Sequence, residues 1–219
     1  MKVYQHIIFD LDGTLTDSKP GIINSAVYAC QKLGIKDPPV EEFDRLIGVP
    51  LQDYFRMIFD FSDAEVEKAV IYFREYYGSK GVYENEVYDG IPGLLNKLKK
   101  AGKKIYISTA KYEKYAWVVT DHFQFTPLIT DMVGADQGGV HATKTELAAK
   151  IIQRNKITDL EKTIVIGDKH MDIQAGHQNG IDSIGVTYGF GTSEELVGEK
   201  PTYLVDSVAE LEGILVISC

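Results

Sequence analysis

The chain has 219 residues, 44% of them hydrophobic, and a net charge of -9 from 23 basic and 32 acidic side chains. That length holds one large domain or a domain with a smaller insert, and the acidic balance, with no Lys/Arg-rich run, argues against nucleic acid or an anionic membrane as a partner. Two cysteines, Cys30 and Cys219, exclude a disulfide framework, no apolar stretch reaches the length of a membrane span, and Met1 leads straight into a strand rather than a signal peptide, so a cytoplasmic location is expected.

Short apolar runs bounded by polar or glycine-containing turns recur along the chain: Val3 to Phe9, Lys104 to Ser108, Asp131 to Gly134, Thr163 to Ile166, Ser183 to Val186 and Thr202 to Val205. They read as strands. Between them stand helical patterns, Ile91 to Leu98 with Gly102 as a stop, Tyr115 to Phe123, and Leu147 to Ile152. The alternation predicts an α/β fold, a parallel sheet with helices on both faces, which binds ligands at the carboxyl ends of its strands. Residues 17–81 break the pattern with helical periodicity alone, at Ile22, Ile23, Ala26, Val27, Cys30 and Leu33 and again from Val66 to Tyr77. They are expected to form an inserted helical domain, able to close as a lid, leaving residues 1–16 and 82–219 as the core. The Tyr72–Tyr77 stripe, at helical spacing, reads as core packing rather than a ligand platform.

The chemistry concentrates where strands end. Asp10 and Asp12 follow the first apolar run, and at that spacing both carboxylates project to one face of the sheet. Gly13 supplies the free backbone of a tight turn, with Thr14 after it. Such a place suits a divalent metal or a phosphoryl group; its bland alternative is an acid-capped turn. The second strand delivers Thr109 and Ala110, whose hydroxyl and backbone N–H groups are placed to hold phosphate oxygens, although Ser and Thr are common after strands. Lys144 stands in the first turn of a helix, where a cation opposes the helix dipole unless an anion is near; alone it reads as a solvated surface lysine. After the fourth strand come Gly167, Asp168 and Asp172, the two acids one helical turn apart, so that one can face a metal while the other braces Lys144 or a water. His170 between them reads as a loop residue, because an oxygen-rich site suits Mg2+. The glycines from Gly185 to Gly191 do not fit a dinucleotide fingerprint and read as a loop at the site's rim.

In that order, Asp10 to Asp17, Thr109, Lys144 and Gly167-Asp168 with Asp172 resemble the four motifs of the haloacid dehalogenase superfamily, over nearly the whole chain. The Tyr88-Asp89-Gly90-Ile91, Ile47-Gly48-Val49-Pro50-Leu51, Asn179-Gly180-Ile181 and Tyr188-Gly189-Phe190-Gly191 strings are similar to the phosphoglycolate phosphatase-like branch with a helical cap. Ala110 and His141 depart from that branch, which often has Ser or Asn and Arg there. The resemblance implies a Rossmann-like core and Mg2+-dependent hydrolysis of a small phosphate monoester, with phosphoglycolate first. By the same resemblance Asp10 is the nucleophile and Asp12 the general acid and base. Mg2+ is held by Asp10, the Asp12 backbone carbonyl and Asp168, and the phosphoryl group by Thr109, Ala110 and Lys144. Substrate choice is expected from the cap, with Arg45 and Gly48 the first suspects.

Other readings stay open. The same chemistry would serve a 5'-nucleotidase or a pyrophosphatase, and a β-phosphoglucomutase-like mutase would return the phosphoryl group to sugar. A non-catalytic phosphate-binding module would be expected to lack Asp10, Asp12 or Lys144. A metal-free dehalogenase has no need of Asp12 and Asp168, and a Schiff-base phosphonate hydrolase would need a cap lysine in an apolar setting. The partner expected is a small phosphorylated metabolite; the oligomeric state cannot be read from sequence.

Overall fold

The computed structural model describes residues 2–44, 47, 51–136 and 142–216. The chain divides into two compact units, Met1–Asp17 with Val87–Cys219, and Ser18–Glu86.

In the first unit the elements in chain order are β1 (His6–Phe9), β2 (Thr16–Asp17), and then, after the second unit, α5 (Ile91–Lys100), β4 (Lys104–Tyr112), α6 (Glu113–His122), β5 (Asp131–Ala135), α7 (Lys144–Arg154), β6 (Thr163–Gly167), α8 (His170–Asn179), β7 (Asp182–Val186), α9 (Ser193–Gly198), β8 (Tyr203–Val205) and α10 (Val208–Leu215). Six of these strands form a parallel sheet in the order β5-β4-β1-β6-β7-β8. All six apolar runs named from sequence are in it. Strands this apolar form the inside of an α/β layer because helices cover both their faces. On one face Ile8 pairs with Tyr106 and Val165 and packs on Leu147 and Ile151 of α7. On the other, Ile7, Phe9, Ile105, Ile107, Ile164 and Ile166 are fully buried.

Two strand ends differ from the sequence expectation. The first strand begins at His6 rather than Val3, and the Tyr4 side chain instead donates a hydrogen bond to Asp182 at 2.6 Å. The β4 strand continues past Ser108 to Tyr112, and its register with β5 shifts between Ser108 and Tyr112. There the Thr109 hydroxyl accepts the Lys111 N–H at 3.2 Å, a local bond that competes with the ladder.

The second unit holds α1 (Lys19–Lys32), α2 (Val40–Asp44), α3 (Leu51–Ile58) and α4 (Asp63–Ser79), and β3 (Glu86–Val87) begins on its last residue. Its core is aromatic: Phe43, Tyr54, Phe55, Phe73 and Tyr77 are buried, with Phe73 stacked on Tyr77 at 5.7 Å. The unit extends to Glu86 because the segment after α4 packs back on α1. A Cβ on Gly21 would lie 2.0 Å from the Gly81 carbonyl oxygen, and the Gly21 N–H reaches Glu84 at 2.9 Å. Cys30 is a buried free thiol in α1. No helix among the described residues is long and apolar enough to cross a membrane.

Candidate active site

Sheet order alone places a crevice at β1. The chain steps from β1 to β4 on one side and later to β6 on the other, and such a reversal leaves a gap at the carboxyl ends of the strands. Asp10 follows β1 directly, its N–H bonded to the Ile166 carbonyl at 2.8 Å. Asp168 follows β6, Thr109 lies on β4, and Lys144 opens α7.

Lys144 bridges two acids. Its Nζ is 2.6 Å from Asp10 Oδ1 and 2.9 Å from Asp172 Oδ1, and all three side chains are at least nine-tenths buried. The lysine is delivered there by a capping box: the Glu146 N–H reaches the Thr143 hydroxyl at 3.2 Å while the Glu146 carboxylate accepts the Thr143 N–H at 2.7 Å. Asp172 is itself fixed, since the Lys169 N–H donates to its second oxygen at 3.2 Å.

One side-chain oxygen from each of Asp10, Asp168 and Asp172 lies within 4.8 Å of the other two. Three buried acids face one buried ammonium, and their titration reflects it. Burial pushes the Asp10 carboxyl up to about 8; Lys144 opposes this, and the charges of Asp172 and Asp168 add to it. Asp168 is pushed up to about 6, again chiefly by burial, with Asp172 adding and the Phe190 N–H opposing. Burial works against the Lys144 charge as well, but Asp10 and Asp172 outweigh it and hold the ammonium above the ordinary lysine range. The cluster is therefore short of positive charge and offers only oxygen donors, which fits a hard dication such as Mg2+.

The turn after β1 is built for close approach. Gly13 has φ +86°, and a Cβ there would sit 2.3 Å from an Asp168 carboxylate oxygen. Thr14 Oγ1 donates to Asp168 at 3.4 Å, and the Tyr188 hydroxyl donates to the Thr14 carbonyl at 3.1 Å. The Phe190 N–H donates to the other Asp168 oxygen at 2.8 Å. The segment from Gly185 to Gly191, read from sequence as a rim loop, starts within β7 and holds one of the acids directly through Phe190.

The Asp12 carboxylate is not among the three clustered acids and pairs with Lys111 at 2.8 Å. Lys111, a surface-type residue by composition, had no signal beyond its place two residues after Thr109; the Phe190 amide had none but the glycines flanking it. His170 is the first residue of α8 rather than a loop residue, and its ring nitrogen is engaged by Glu195. Thr109 is buried and Ala110 exposed. Arg45 and Gly48 lie outside the described residues.

A sequence-family model described as haloacid dehalogenase-like hydrolase matches residues 7–186. The chain belongs to that family. Among curated relatives of this hydrolase, a protein of Pseudomonas aeruginosa named 5'-nucleotidase is 36% identical over 97% of the chain and 96% of its own length. A Vibrio parahaemolyticus protein named phosphoglycolate phosphatase is 26% identical over 97% and 96%. Among solved structures, a candidate phosphatase from Clostridium difficile superposes with a TM-score of 0.93 at 36% identity, covering 98% of this chain and 100% of its own.

Proposed function

We propose that this hydrolase is a Mg2+-dependent phosphatase acting on small phosphate monoesters through a phosphorylated Asp10. The observation that carries the reading is the convergence of Asp10, Asp168, Asp172 and Lys144 in one buried cluster at the carboxyl ends of β1 and β6.

Asp10 is the nucleophile. An oxygen of its carboxylate bonds to phosphorus as the ester P–O bond breaks, and the departing oxygen takes the electron pair and a proton from Asp12. Asp12, now a carboxylate, takes a proton from water as the water oxygen bonds to phosphorus. The bond to Asp10 breaks with its electrons returning to the carboxylate, and inorganic phosphate leaves. Lys144, Thr109 and the Ala110 backbone share the charge of the phosphoryl oxygens, an electrostatic contribution expected to dominate such transfers. Asp10, Asp168 and the Asp12 carbonyl would hold Mg2+, with Asp172 bracing Lys144. The ion supplies positive charge that keeps Asp10 ionised and offsets charge on the phosphoryl group.

Two substrates come first. Resemblance to the phosphoglycolate phosphatase-like branch favours phosphoglycolate, and 36% identity to a protein named 5'-nucleotidase favours a nucleoside monophosphate. Purified protein is expected to release phosphate from p-nitrophenyl phosphate only with Mg2+, and the Asp10→Asn variant to release none. Equal slow release by both proteins would overturn the phosphatase reading. A panel of phosphorylated metabolites then ranks phosphoglycolate against the nucleotides.

A further inference from the structure

One oxygen of the Asp12 carboxylate is held by a cation and the other is bare. Lys111 Nζ lies 2.8 Å from Asp12 Oδ2, with the two side chains 7% and 19% exposed. Asp12 Oδ1 is buried and has no hydrogen-bond partner among the described residues. Lys111 arrives at this place through the irregular end of β4, where its own N–H is bonded to the Thr109 hydroxyl at 3.2 Å. The same short turn thus sets a phosphate-side hydroxyl and a lysine that reaches back to the turn after β1.

We infer that Lys111 is a positioning residue for Asp12: by tying Oδ2 it commits Oδ1 to the proton transfer with the leaving oxygen. A carboxylate has two equivalent oxygens on rotatable bonds, and a general acid delivers its proton only within hydrogen-bond reach of the acceptor. A short ionic hydrogen bond in a mostly buried setting removes that freedom before substrate arrives. Lys111 makes no covalent bond and exchanges no proton in the reaction. The proton that goes to the departing alcohol comes from Asp12 Oδ1, and the one replacing it comes from the hydrolytic water. The inference rests on the phosphatase reading above.

The test compares two esters through kcat/KM, which reports the steps up to loss of the alcohol. An alkyl phosphate such as glycerol 2-phosphate must have its leaving oxygen protonated, whereas p-nitrophenolate leaves without help. In Lys111→Met, kcat/KM for the alkyl ester is expected to fall on the order of a hundredfold, through kcat with KM little changed, while the nitrophenyl ester loses several-fold at most. Lys111→Arg restores most of the ratio between the two esters. An equal fall for both esters, or a rise in KM alone, would show that Lys111 holds the phosphoryl group or the substrate and would overturn the inference. A crystal structure of Lys111→Met reads the tie without turnover: an Asp12 carboxylate displaced from its present position supports it, and one left unmoved refutes it. If the unmutated protein released no phosphate from any ester while Asp12 moved in the variant, the phosphatase reading would fail and the Lys111 to Asp12 tie would stand.

Discussion

Asp10 and Asp168 both titrate above the ordinary carboxylate range, so the charge state of the cluster depends on pH where most carboxylates do not. A carboxyl whose folded pKa is raised adds stability that is complete below its unfolded value of about 4 and is lost as pH rises through the folded one. For this pair the loss runs through about 6 and about 8. A bound dication opposes the shift by favouring the ionised carboxylates, and its binding releases protons. The melting temperature in Mg2+ is therefore expected to exceed that in a chelator by a margin that widens from pH 5 to pH 8; a margin that stayed constant or narrowed would contradict the charge assignment. Gly13 is the second residue-scale case. Gly13→Ala would place a methyl group 2.3 Å from an Asp168 oxygen at φ +86°. The backbone strain alone costs about 1–2 kcal/mol, so urea melts are expected to show at least that loss, together with weaker Mg2+ binding in a calorimetric titration.

At the level of elements, the six strands could be read from sequence because a parallel strand buried on both faces leaves an uninterrupted apolar run such as Ile7 to Phe9 or Ile164 to Ile166. Asp10 and Asp168 were legible for the same reason, as acids at the abrupt end of such runs. What lay beyond reach was the behaviour of a strand after its apolar part ends. Past Ser108 the register of β4 shifts, the Lys111 N–H bonds to the Thr109 hydroxyl and Lys111 reaches Asp12, a pairing between distant segments that no local pattern encodes. The start of α7 was largely legible: Lys144 stood out as a cation at a helix N-terminus with an acid after the fourth strand to brace it, and the structure adds Asp10 beside Asp172. The position of Lys144 depends on the Thr143 cap. Thr143→Ala is expected to cost about 1 kcal/mol in stability and to lower kcat more than it raises KM, because Lys144 loses its fixed approach to Asp10. Steady-state kinetics beside a denaturant melt check both parts, and an unchanged kcat would show that α7 needs no cap to place the lysine.

For the whole molecule, we propose that the two units divide two tasks, chemistry and choice of substrate. Asp10, Asp168, Asp172 and Lys144 all belong to the unit formed by the two ends of the chain. Exchanging Ser18–Glu86 for the matching segment of a relative with another substrate ranking is expected to transfer that ranking and leave the requirement for Mg2+ intact; loss of the metal requirement with an unaltered ranking would reverse the assignment. The claim on which all of this depends is the covalent one. Protein mixed with p-nitrophenyl phosphate and Mg2+, quenched in acid during turnover and digested, is expected to carry one added phosphoryl group on the peptide containing Asp10, sensitive to hydroxylamine and absent from Asp10→Asn. Sustained turnover with that peptide unmodified, or the same modification in the variant, would contradict it.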